Sequence, residues 1–129
     1  MTQYITRTAA AATLTTSPTT LTSNFGDSNL SLIVPAGTSF VKTLVLSISC
    51  PVGTGDFAVG VRLDGNSVTD GSQDFSMGAI IGTTSGQTGA MVVSQDVDVS
   101  VKAGNTLNLK VMSTVSAANC DIVLQAVFA

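Results

Sequence analysis

From Leu30 to Phe128 the chain repeats one device: apolar and polar residues alternate for a few positions, then a turn signal interrupts them. The clearest run is Leu107-Asn108-Leu109-Lys110-Val111. Successive side chains of a β-strand point to opposite faces, so a period of two is what a half-buried strand requires. The same alternation runs through Leu30, Leu32 and Val34, through Leu44, Leu46 and Ile48, through Phe57, Val59, Val61 and Leu63, and through Val97, Val99 and Val101. Further strands are expected over Phe75 to Ile81, Ala90 to Ser94 and Ile122 to Phe128, the last apolar enough to be central. No segment carries a helical period.

Composition agrees. All eight acids are Asp, with no Glu, and Ser and Thr make up about a quarter of the chain. Asp favours turns and caps where Glu favours helix, and β-branched side chains fit a pleated surface. The breaks between strands are turn-formers: Pro35-Ala36-Gly37-Thr38, Pro51 to Gly55, Gly82 to Gly89, Ala103-Gly104-Asn105 and Ser116 to Asn119. Asp64-Gly65-Asn66 predicts a tight type I′ hairpin, with Ser67-Val68-Thr69 as the returning strand. Val34-Pro35-Ala36-Gly37-Thr38 and Val101-Lys102-Ala103-Gly104-Asn105 read alike, either as a common way to write a β-corner or as matching corners of a pseudo-symmetric sandwich.

These signals predict an all-β, antiparallel β-sandwich, a Greek-key jelly roll before an immunoglobulin-like sandwich, since the chain has no core Trp. The domain is expected over residues 24–129. Residues 1–23, low in complexity and without amphipathic period, read as an extended N-terminal arm, mobile or laid along a partner. Tyr4, Ile5 and Arg7 are its natural assembly contacts, being its sizeable apolar residues near the start and its single charge.

Much chemistry is excluded. Without histidine there is no Ser-His-Asp or Cys-His catalysis, and zinc lacks a ligand set. No enzyme activity, cofactor or metal is expected. Asp96 and Asp98 share the outward side of an alternating strand and read as a solvated face. Asp64, Asp70 and Asp74 supply the oxygens calcium prefers but lack EF-hand spacing, so they read as turn residues. The five basic residues are scattered and the net charge is −3, which argues against nucleic acid. No apolar run approaches a membrane span, and residues 1–22 lack the apolar core of a secretory signal. Cys50 and Cys120 are either small buried hydrophobes or a disulfide between neighbouring strands.

In its Ser/Thr/Gly-rich strands, its Ala36-Gly37 and Ala103-Gly104 corners and its Asp64-Gly65 turn, the chain from Asn29 to Ala129 resembles the small jelly-roll proteins that decorate or cement tailed-phage heads. That resemblance implies a structural virion protein, homotrimeric on a capsid protein, with a terminal arm reaching neighbouring subunits and no catalytic residues. A charge content of only 10%, against about 25% in an average domain, suits a surface buried in an assembly. An apparently extracellular composition without an export signal fits a protein folded in a host cytoplasm that then serves in the virion. The alternative is a carbohydrate- or receptor-binding module of lectin or fibre-tip type, which would need exposed aromatics to stack on sugar rings.

Overall fold

The computed structural model describes residues 2–14, 31–51, 57–80, 88–114 and 117–129. Among them lie eight strands: β1 (Gln3–Leu14), β2 (Ser31–Ile33), β3 (Phe40–Pro51), β4 (Phe57–Asp64), β5 (Gln73–Ile80), β6 (Thr88–Ser100), β7 (Thr106–Ser113) and β8 (Ala117–Phe128). They form two antiparallel four-stranded sheets, ordered β1-β8-β3-β6 and β2-β7-β4-β5. This is the strand order of an eight-stranded jelly roll. The inward sides of the alternating runs meet between the sheets. Leu44, Leu46 and Ile48 of β3 and Ile122, Leu124 and Phe128 of β8 face Val59, Val61 and Leu63 of β4 and Leu107, Leu109 and Val111 of β7, each at most 1% exposed.

The order has an internal symmetry. Advancing every strand of the first sheet by four, cyclically, gives β5-β4-β7-β2, the second sheet in reverse. The two Ala-Gly corners occupy equivalent places: one carries the chain from β2 to β3, the other from β6 to β7, each crossing between sheets. Gly37 and Gly104 have left-handed φ values of 79° and 82°. The corners are tied together, since Val34 N donates to Asn105 O at 3.0 Å and Gly104 N to Val34 O at 2.9 Å. The matching-corner interpretation therefore describes the fold.

Three expectations need correction, and the choice left open for the cysteines is decided. The arm is not an arm over Gln3–Leu14: this segment is the edge strand β1, paired with β8 from Gln3↔Phe128 to Leu14↔Ala117. Ala9, Ala12 and Leu14 are buried in the core. The strand's alternation is weak because its inner side is partly Ala, and it slips at a bulge where Ala11 adopts φ 51°. Residues 15–23 lie outside the described residues, as do most of the Pro51–Gly55 and Gly82–Gly89 breaks.

Asp64-Gly65 does not make a two-residue hairpin. Gly65 is left-handed at φ 108°, but no positive φ follows at Asn66, and β5 begins only at Gln73. Before returning beside β4 as β5, the chain crosses toward the other sheet, where Val68 bridges Val101. The strands expected at Ala90–Ser94 and Val97–Val101 are one continuous β6, kinked by an extra residue at Asp98 (φ 55°). Finally, Cys50 of β3 and Cys120 of β8 are joined in a disulfide between adjacent strands, Cα atoms 4.3 Å apart, with both residues buried.

Candidate assembly surface

Each sheet turns one face to the core and one outward, and the two outward faces differ in chemistry. On the β2-β7-β4-β5 sheet the charged outward residues are already paired, beside the apolar Ala58 and Met112 and the exposed Ile33. Arg62 stands opposite both Lys110 and Asp74 across the strands. Its Nε and Nη2 donate to the two oxygens of Asp74 at 2.5 and 2.9 Å. Lys110 Nζ donates to Asp64 Oδ2 at 2.6 Å, and Ser31 Oγ to Asn108 Oδ1 at 2.8 Å. The Lys110 hydrogen bond, aided by the Gly65 N–H, holds the Asp64 carboxyl below the usual carboxylate range. The Arg62 hydrogen bonds do the same for Asp74, and that carboxylate raises Arg62 in turn. Beside this network a shallow depression of about 540 Å³ opens where Gly60 leaves room for Met112.

The outward face of the β1-β8-β3-β6 sheet follows from its register. One row reads Tyr4, Val127, Thr43, Asp96; the next Thr6, Gln125, Val45, Ser94; the third Thr8, Val123, Ser47, Val92. A fourth ends it with Asp121, Ser49 and Ala90. Among these residues there is no Lys or Arg, and the two acids stand at opposite ends. Both are engaged: Thr43 Oγ1 donates to Asp96 at 2.9 Å, and Ala11 N donates to Asp121 at 2.9 Å. Lys42 and Asp98 pair at 2.7 Å at the β6 bulge, beyond the Thr43 row. Three of the five exposed large hydrophobic residues among those described lie on this face: Tyr4 (64%), Val92 (76%) and Val123 (41%). The interior of a protein interface is poor in charge and rich in apolar and aromatic groups, and this is the face that has that character.

The three expected contact residues part company. Tyr4 stands outward at the corner of this face. Ile5 turns inward and packs against the core. Arg7 is half-buried, and its Nε donates to Ser31 O at 3.2 Å, tying β1 to the edge of the opposite sheet. The rest of the face was hidden from sequence reasoning, because alternation tells which side of a strand is wet but not which strands lie side by side. Of the carboxylates weighed in the sequence, Asp64 and Asp74 are engaged by cations, Asp96 by a hydroxyl and Asp98 by Lys42. Among the described residues no three His, Cys, Asp or Glu side chains are grouped to hold a metal. The exposed aromatics there are Tyr4 and Phe40, and the Phe40 ring carries Lys42 Nζ 4.8 Å from its centroid.

The fold is the jelly roll shared by proteins of unrelated sequence. No protein-family model and no curated protein matches the chain. Among solved structures, the infectious bursal disease virus VP2 subviral particle is similar with a TM-score of 0.58 at 14% identity, over 98% of this chain and 32% of that one. The globular domain of zebrafish complement 1qA gives 0.56 at 10% identity, over 99% and 96%. The PRD1 vertex protein P5 gives 0.51 at 13% identity, over 97% and 95%. This chain thus spans about a third of the length of the bursal disease virus chains it matches. At these identities the likeness is one of fold.

Proposed function

We propose that this chain is a structural protein of a virus particle, decorating or cementing a capsid through protein–protein contacts. The observation that carries the reading is the charge-poor outward face of the β1-β8-β3-β6 sheet, free of Lys and Arg, on a jelly-roll framework. A domain whose other sheet faces water through paired charges, and whose described carboxylates are mostly engaged with neighbours, is equipped to bind rather than to react. Two of the fold neighbours come from virus particles, which supports the choice. In this reading the partners are a capsid protein and further copies of the chain. The protein folds in the cytoplasm of a bacterial host and serves in a tailed-phage virion. Tyr4 is a contact residue, while Ile5 and Arg7 hold β1 in place.

The test is direct. An antiserum raised against the chain, applied as immunogold to gradient-purified particles from cells that produce it, should label particle surfaces at regular spacing. Particles that stay unlabelled while the chain remains soluble in the same lysate would refute the reading.

A further inference from the structure

We infer that the charge-poor face of the β1-β8-β3-β6 sheet is occupied by a second copy of this chain, an inference that rests on the assembly reading above. Three observations point to that occupant. The first is chemical. Inside the two terminal Asp residues, every polar side chain on the face is a hydroxyl or an amide: Tyr4, Thr6, Thr8, Thr43, Ser47, Ser49, Ser94 and Gln125. Such groups donate and accept at once, so the surface is complementary to itself. A face of carboxylates or ammonium groups cannot pair with its own kind.

The second observation concerns charge. Two copies that each carry a net −3 repel least where like charges stay apart. On this face Asp96 and Asp121 lie at opposite ends, and both accept hydrogen bonds within the chain. The Arg62, Asp64, Asp74 and Lys110 lattice on the other sheet balances two cations against two carboxylates, but these ions are already paired within the chain, and burying them would cost desolvation without a new partner.

The third is size. Strands about 4.8 Å apart and same-side residues about 6.7 Å apart give four strands and four rows roughly 500 Å² of projected area. Two copies together then bury about 1,000 Å², the threshold of a specific interface. Val92 and Val123, 76% and 41% exposed in the single chain, supply its apolar centre and border.

Analytical ultracentrifugation of the full chain tests this, with Val123→Lys at the centre of the face, Val92→Lys at its β6 border and Ser76→Lys on the opposite sheet as control. The wild type and the control should sediment as multiples of 13.0 kDa at about 100 µM, well within the affinity range of such interfaces. Each of the two face variants should weaken association at least tenfold while keeping its circular dichroism spectrum. Val92→Lys lies on an exposed edge and keeps the test open should Val123→Lys fail to fold. A monomeric wild type, or an oligomer that Val92→Lys leaves intact, overturns the inference. Labelled virus particles together with a monomeric wild type would overturn it and leave the particle reading standing. An oligomer dissociated by Val92→Lys, in a chain never found on particles, would support it while the particle reading falls.

Discussion

Leu14 decides whether β1 belongs to the fold. The residue is fully buried, at 0% exposed, opposite Ala117 at the end of the β1–β8 ladder. Replacing it with Ala removes a buried isobutyl group and leaves a cavity that a two-sheet core cannot close completely. Such changes cost about 2–5 kcal/mol, and full burial argues for the middle of that range, about 3 kcal/mol. With a urea m-value near 2 kcal/mol/M for a domain of this size, the midpoint should fall by about 1.5 M. Equilibrium urea unfolding followed by circular dichroism reads this directly. Tyr4→Ala, on the same strand but outward and 64% exposed, should move stability by no more than about 0.5 kcal/mol. If Leu14→Ala unfolds at the wild-type midpoint, β1 does not pack as described and the arm interpretation returns.

Gly65→Ala should cost about 2 kcal/mol or more, because φ is 108° and the new Cβ would lie 2.5 Å from Thr106 O; Gly37→Ala, with φ 79° and open space, should cost about 1 kcal/mol, and the two urea midpoints give the comparison. Ser67→Ala should be neutral or stabilising by up to about 1 kcal/mol, since the buried Ser67 hydroxyl has no hydrogen-bond partner among the described residues, and a clear loss of stability would show that it has one. Because Asp64 and Asp74 are lowered in the folded chain, their pairing stabilises it fully above the ordinary carboxylate range and is lost as pH falls through the lowered values. Urea midpoints should therefore be flat from neutral pH to about 5 and decline below about 4, and Arg62→Gln should flatten the acid limb only slightly, as befits a half-exposed pair. Changing both Cys50 and Cys120 to Ala should lower stability by up to about 4 kcal/mol, the chain-entropy value for a 70-residue separation, while unfolding stays cooperative.

The parts of the fold that sequence made legible are those where local pattern and tertiary burial say the same thing. β3, β4, β7 and β8 each place β-branched residues, Leu or Phe at every second position, and those positions are the core. β1 failed because Ala9 and Ala12 are too small to mark an inner side and a bulge at Ala11 breaks the count. The Asp64-Gly65 signal failed because local turn preference was overruled by the crossing of Val68 to Val101. At the candidate surface, the solvent exposure of Asp96 and Asp98 was readable from the flanking Val residues. The pairing of Arg62 with Asp74 and of Lys110 with Asp64 was not, because both depend on which strands become neighbours.

The place of β1 beside β8 has a consequence for how the molecule is made. Gln3 finds its partner in Phe128, so β1 is synthesised well before β8 and waits for it before their ladder can close. The β3–β6, β3–β8 and β1–β8 ladders all join distant stretches, which is the arrangement that slows folding, because loop entropy must be lost before any contact compensates for it. Until β8 leaves the ribosome, β1 is an unpaired strand and β3 lacks one of its two neighbours. Unpaired strands of this kind ordinarily invite aggregation. The composition of β1 suits that wait: Thr-Ala-Ala-Ala-Ala-Thr is nearly free of the large β-branched residues that zip nascent strands together. The weakness that hid β1 in the sequence lets the growing chain hold it open until its partner arrives.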